Sequence, residues 1–191
     1  MRLFVAVEID AAVVAAAQTV TAQLRERAEA AAPQARITWI PANLMHLTIR
    51  FIGNVADQEV ARLVDALTAR LPIHPFSLEV SGLGAFPPRG APRVLWAGIT
   101  AGTDELVRTE VETSARLQQL GIPPDDRVFS PHLTLARVRE PGGLKTSALL
   151  AGLERTPLGT SRVDAITLFE SRLSPKGPTY VPLHRTALRA D

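Results

Sequence analysis

His46-Leu47-Thr48-Ile49 returns 86 residues later as His132-Leu133-Thr134-Leu135. Each copy follows a turn-forming stretch and leads to an arginine, Arg50 in the first and Arg137 in the second. Composition alone predicts about 0.04 copies of His-Leu-Thr in a chain of this make-up, so two copies are not a chance match. On a strand, side chains at i and i+2 share a face, roughly 6.5–7 Å apart. His46 and Thr48 therefore point one way and Leu47 and Ile49 the other; His132 and Thr134 do the same, with Leu133 and Leu135 behind them. Each copy presents an imidazole and a hydroxyl on a polar face backed by a core. Copies in separate halves of the chain suggest two related lobes, each donating one strand to a shared cleft.

Working outward, residues 3–9 alternate as a first strand. Asp10 is placed to cap a helix whose apolar positions Val13, Val14, Ala17, Val20 and Leu24 follow the 3.6-residue period. Strands are expected at Arg36–Ile40 and His46–Ile52 across a Pro-Ala-Asn turn. Asp57 is placed to cap a second helix ended by Pro72. Strands near 76–83 and 93–99 flank the Pro-Pro-Arg-Gly loop at 87–90. A helix from Thr103 to about Leu120 opens on Asp104 and Glu105 and stops at Gly121, the polarity a helix dipole favours. The second histidine strand, a helix around 144–154, and strands near 162–171 and 179–184 complete the chain. Strands are often adjacent, so the expected class is α+β with antiparallel pairing, one bilobal unit over residues 1–191.

The 191 residues are 46% hydrophobic and 21% charged, inside the globular range. No apolar run approaches the roughly 18–20 residues of a membrane span. The opening Met1–Asp10 reads as a strand rather than a signal peptide. Cysteine is absent, so no disulfide, thiolate nucleophile or cysteine-bound zinc is possible, which suits a cytoplasmic protein. Residues 1–100 carry 9 basic and 8 acidic groups, and 101–191 carry 12 and 11, which leaves no basic field for gripping long nucleic acid. Lys145 and Lys176 are the only lysines, so local arginines have to be weighed singly.

Two imidazoles and two hydroxyls facing one another suit in-line displacement at phosphorus. A neutral histidine takes a proton from the attacking oxygen and a protonated one gives a proton to the leaving oxygen. The threonines donate to the non-bridging oxygens. A metal site is the sharpest rival, but the motif carries threonine rather than a carboxylate at i+2, and Asp57, Asp125 and Asp126 fall in turns or at a cap; neither metal nor cofactor is expected. Ser130 lacks a Gly-x-Ser-x-Gly setting, and no Gly-x-x-x-x-Gly-Lys loop is present. His74 and His184 have no threonine at i+2 and read as structural or solvent-facing. Phe129 and Trp39 read as core residues with a secondary reading as base-stacking platforms.

These residues resemble the 2H phosphoesterase superfamily, named for its two His-x-Thr-x motifs, and within it the RNA 2′,3′-cyclic phosphodiesterase (2′-5′ RNA ligase) branch. The resemblance runs through MRLFVAVEID (1–10), HLTIRFIG (46–53), AFPPRGAPRVLWAGI (85–99), FSPHLTLARV (129–138) and LFESRLSPKGPTYVPL (168–183). It implies a bilobal α+β fold with pseudo-two-fold symmetry, two mostly antiparallel sheets lining a central cleft and helices outside. It also implies metal- and ATP-independent opening of a terminal 2′,3′-cyclic phosphate of RNA, tRNA fragments being candidates, to a 2′-phosphate; nothing in the sequence suggests an obligate dimer, so a monomer is expected. His132 then resembles the general base and His46 the general acid, Thr48 and Thr134 the phosphate-contacting threonines, and Arg137 an arginine beside the phosphate. The reverse reaction would form a 2′-5′ linkage. Strict alternation puts Arg137 opposite to His132 unless a bulge re-aims it; Arg50 has the same parity as His46 and Thr48, and Arg127 is a weaker candidate. Asparagine stands three residues before the first histidine (Asn43) where the family often has it two before. Two alternatives stay open: a 2H enzyme acting on small cyclic nucleotides or 2′-5′ oligonucleotides, and a non-catalytic module that binds phosphorylated RNA ends.

Overall fold

The computed structural model describes residues 1–175 and 177–189; Lys176 lies outside them. Nine strands and four helices appear among the described residues. In chain order they are β1 (Arg2–Glu8), α1 (Ala11–Ala31), β2 (Arg36–Trp39), β3 (His46–Asn54), α2 (Val60–Thr68), β4 (Phe76–Phe86), β5 (Val94–Ala101), α3 (Thr103–Gln118), β6 (His132–Glu140), α4 (Thr146–Leu150), β7 (Pro157–Val163), β8 (Ala165–Ser174) and β9 (Gly177–Ala187). They form two sheets, ordered β3-β1-β8-β9 and β2-β6-β5-β4-β7, and every strand pair within them is antiparallel. The α+β class and the two motif strands agree with the sequence reading. The C-terminal region differs: what reads as one strand over 162–171 is the end of β7 and most of β8, separated by a single bend at Asp164. The helix expected around 144–154 shrinks to the single turn of α4.

The halves of the sequence are not the halves of the fold. The first sheet takes β1 and β3 from the first half and β8 and β9 from the second; the other sheet likewise joins β2 and β4 of the first half to β6 and β7 of the second, with β5 spanning the midpoint of the chain. The helices are exchanged as well. α1 follows a strand of the first sheet, yet its buried stripe Val13, Ala17, Val20, Leu24 and Ala28 packs on Val80, Leu95, Leu133, Leu135 and Leu158 of the second sheet. α3 follows a strand of the second sheet and buries Leu106 and Leu117 against Leu3, Val5, Leu47 and Ile49 of the first. Two cores result, each roofed by a helix from the other sheet's chain path, and neither sheet can separate without uncovering apolar area.

The expected helix caps are used differently. Asp10 makes no side-chain cap; its carboxylate accepts from the Arg162 amide (2.8 Å) and its own amide donates to Ser161 Oγ (2.9 Å), fastening the start of α1 to β7. Asp57 lies 3.2 Å from the chain's terminal ammonium, and a 3-10 turn at Asp57–Glu59 precedes α2. Gly121 ends the α3 region as expected, with φ at +81° and the Ile122 amide returning to the Leu117 carbonyl at 3.1 Å.

Leu47 and Leu133 are both fully buried behind the motif strands, one in each core. Leu133→Ala should lower stability by about 2–5 kcal/mol, whereas Val128→Ala, at a side chain 95% exposed, should stay within about 0.5 kcal/mol. Urea midpoints of the two variants check the contrast.

Candidate active site

The cleft between the sheets has a volume of about 580 Å³, and His46, Thr48, Phe51, Thr134 and Arg137 line it. Strands β3 and β6 lie against each other and present these groups from opposite walls. His132 is not among the residues that line this volume; it stands at the start of β6, on the same strand face as Thr134 and Arg137 and two residues before the former. That Arg137 falls on this face at all comes from a bulge. Thr134 pairs with Trp96 and Ala136 with Leu95, so Leu135 has no partner on β5, and Leu135 and Ala136 are both buried. One extra residue resets the alternation and turns Arg137 toward the cleft.

The same irregularity stands at the same place in the first copy. Thr48 pairs with Ala6 and Arg50 with Val5, leaving Ile49 unmatched and burying Ile49 and Arg50 in succession. Phe51, 86 residues before Arg137, is thereby swung into the cleft and stands 52% exposed. The sequence reading overlooked Phe51, although the 86-residue offset pairs it with Arg137. Arg50 is corrected: its parity with His46 does not survive the bulge. It is 4% exposed, donates to the Pro123 carbonyl and lies 3.6 Å from Asp125. It thus ties β3 to the segment that leads into His132. Trp39 and Phe129 pack against the two cores and do not line the cleft, and the Arg25 guanidinium lies 5.6 Å from the Trp39 ring centre. Arg127, His74 and His184 are also outside it.

Each imidazole is aimed by a carbonyl two residues upstream. His46 Nδ1 is 2.8 Å from the Leu44 carbonyl, which a 3-10 turn at Ala42–Leu44 brings into place; His132 Nδ1 is 2.7 Å from the Ser130 carbonyl. A carbonyl can only accept, so Nδ1 carries the proton in both rings and Nε2 is the nitrogen left with a lone pair. His46 Nε2 accepts from Thr48 Oγ1 at 3.0 Å, and His132 Nε2 has no hydrogen-bond partner among the described residues. Aromatic rings fix both imidazoles from the side: Phe4 and Tyr180 at 5.0 and 5.1 Å from His46, Phe86 and Trp96 at 5.1 and 6.4 Å from His132. Gly84 makes room for this packing, since a Cβ there would stand 2.2 Å from the Trp96 ring.

Burial pushes the pKa of both histidines below the usual 6.5, the carbonyl bonds oppose that, and the Arg137 charge lowers both further. The Arg137 charge acts on both rings, the smallest of the three influences on each. Among the described residues, no three metal-binding side chains gather at one point.

Against known proteins, the family model for LigT-like phosphoesterases matches twice, over residues 13–96 and 99–180, once on each copy of the repeat. The chain belongs to that family. It is 36% identical over 140 residues to the RNA 2′,3′-cyclic phosphodiesterase of Aeropyrum pernix, covering 73% of this chain and 79% of that one. It is 34% identical to the protein of the same name from Thermus thermophilus, covering 100% and 92%. A solved structure from Thermus thermophilus superposes over 100% of both chains with a TM-score of 0.74 and 30% identity. Escherichia coli LigT, solved with 3′-AMP, shares the fold at a TM-score of 0.71 and 22% identity over 99% of this chain and 98% of that one.

The depressed imidazoles set a pH prediction. A neutral base and a protonated acid coexist best between two pKa values that both lie below 6.5, so kcat/KM should follow a bell whose maximum falls on the acid side of 6.5. Removing the cation with Arg137→Gln should move both imidazole titrations, followed by NMR of the ring protons, toward alkaline pH. No movement in either ring would remove Arg137 from the site.

Proposed function

We propose that this protein is an RNA 2′,3′-cyclic phosphodiesterase that opens a terminal cyclic phosphate to a 2′-phosphate by two-histidine acid–base catalysis. The observation that carries the reading is the matched pair of bulged His-x-Thr strands, whose equivalent third positions are a cation in one copy and an exposed aromatic ring in the other. The relatives of that name support the same activity.

The asymmetry gives each wall a task. Phe51 offers a stacking face to the terminal base, so the nucleoside lies on the His46 wall. Arg137 offers a guanidinium to the phosphate on the His132 wall. The O3′ leaving group belongs to the nucleoside and so faces His46, while the attacking water comes from the side of His132. His132 Nε2 takes a proton from water as the new P–O bond forms. The P–O3′ bond breaks, and His46 Nε2–H protonates the departing oxygen. Thr48 and Thr134 hydroxyls and Arg137 bind the non-bridging oxygens as charge builds on them. For His46 to act as an acid it must first be protonated; Thr48 then ceases to donate to Nε2 and turns its hydroxyl to the phosphate. With an RNA 5′-hydroxyl in place of water as the nucleophile, the same groups in the same roles would form a 2′-5′ linkage, and acid and base would exchange only when that linkage is cleaved back to the cyclic phosphate. Both motifs come from one chain, so the proposed working unit is a monomer, and an RNA substrate places its proposed work in the cytoplasm. No helix among the described residues is long and apolar enough to cross a membrane.

The test is hydrolysis of an RNA oligonucleotide ending in a 2′,3′-cyclic phosphate, with product regiochemistry read out. His46→Ala and His132→Ala should each lose about 10²–10⁴-fold in kcat, and Arg137→Ala about 10²–10³-fold, with the fold retained by circular dichroism. Turnover should survive a strong chelator. Near-wild-type rates in either histidine variant would overturn the mechanism, and binding of the RNA without turnover by the wild type would favour a non-catalytic module.

A further inference from the structure

The wall of the first sheet continues past the groups that the chemistry uses. One strand step beyond Phe4, roughly 7 Å along β1, Arg2 lines the cleft. Leu3 pairs with Glu170, which brings Arg2 level with Ser171, and Ser171 in turn pairs with Tyr180. Arg2, Ser171 and Tyr180 thus form one row across β1, β8 and β9, and all three line the cleft. The Arg2 charge reaches the Tyr180 phenol, and the Tyr180 ring packs edge-on against Phe4 at 4.9 Å. Among the described residues Arg2 makes no ion pair, neither hydroxyl has a hydrogen-bond partner, and no carboxylate lines the cleft. The nearby acid Glu170 is held by Arg172 at 2.8 Å and is buried away from the row.

A guanidinium and two hydroxyls with no acceptor of their own, side by side on a wall free of carboxylates, match a phosphodiester anion. The row lies about one strand step from the Phe4–Phe51 pair. A nucleoside stacked on Phe51 would therefore direct its 5′ oxygen toward it. We propose that Arg2, with Ser171 and Tyr180, forms a second anion subsite that binds the phosphodiester on the 5′ side of the terminal nucleotide. The site then selects the end of a nucleic acid chain over a free cyclic mononucleotide. The proposal rests on the phosphodiesterase reading above, and it deepens that reading by naming what lies next to the reacting nucleotide.

Steady-state hydrolysis of a dinucleotide with a 2′,3′-cyclic phosphate end, compared with the cyclic mononucleotide, tests it. The wild type should favour the dinucleotide in kcat/KM by roughly tenfold or more. Arg2→Gln should erase most of that preference and leave the cyclic mononucleotide within about twofold. Replacing the internal phosphodiester by an uncharged methylphosphonate should cost the wild type the same factor and cost Arg2→Gln nothing further. This second comparison tests the subsite even if the variant folds poorly. Equal kcat/KM for both substrates in the wild type would overturn the subsite and leave the phosphodiesterase reading standing. Equal losses on both substrates in Arg2→Gln would overturn it too. Arg139 of β6 lines the same cleft from the opposite wall; loss of the preference in Arg139→Gln but not in Arg2→Gln would move the flanking phosphate to that wall and overturn the assignment. Wild-type protein that opens neither substrate would overturn the phosphodiesterase reading itself and this proposal with it.

Discussion

Ile49 stands without a partner on β1 and Leu135 without one on β5, and the chain answers by burying two consecutive side chains, Ile49 with Arg50 and Leu135 with Ala136. Without that reset, the third group of each motif would face the core. Arg137 would be a cation pressed among leucines, an expensive arrangement, and Phe51 would leave the cleft. With it, imidazole, hydroxyl and a third group share one face in each copy. The bulge is what lets a two-residue strand period carry three useful side chains spaced at i, i+2 and i+5.

The third positions are where the pseudo-symmetry is broken, and breaking it makes the cleft directional. Two identical walls would bind a phosphate in either sense. A ring on one wall and a guanidinium on the other are chemically unlike, and in the proposed reaction that difference would separate nucleoside from phosphate, and so leaving oxygen from attacking oxygen. The supports behind the histidines remain symmetric: a carbonyl at i−2 on Nδ1 and aromatic rings against the imidazole in both copies. Those supports hold geometry and tautomer, which the proposed acid and base would need equally. They also exclude water, which is why both rings are poised toward the neutral form.

Two walls can act on one phosphorus only if their separation is held. The exchange of helices does this: α1 leaves a strand of the first sheet to roof the second, and α3 does the reverse. Arg50 adds a link of another kind, from β3 to the segment at Pro123 and Asp125 that runs into Ser130 and His132. The carbonyl that aims the second histidine thus belongs to a segment fastened to the strand of the first. A side chain that parity assigned to the cleft works instead behind it.

Much of this was legible in the linear chain. The repeated His-Leu-Thr, its polar and apolar faces and the helix periods of α1 and α3 are local properties, and strand and helix geometry convert them directly into faces. So the antiparallel α+β class, the two histidines and the two threonines could be read from residue order. What residue order could not convey was the register. A bulge depends on which residue of a distant strand stands opposite, and His46 pairs with a strand some forty residues away while His132 pairs with one about thirty-five away. Hence Arg50 and Arg137 could not be placed by counting, and Phe51 was passed over. The exchanged strands and helices were hidden for the same reason: apolar periodicity tells a helix which face to bury but not which sheet will cover it. Sequence by itself determined the chemical groups and their spacing. The tertiary structure alone decided which of them face one another, because pairing across a sheet is a contact between residues the chain holds far apart.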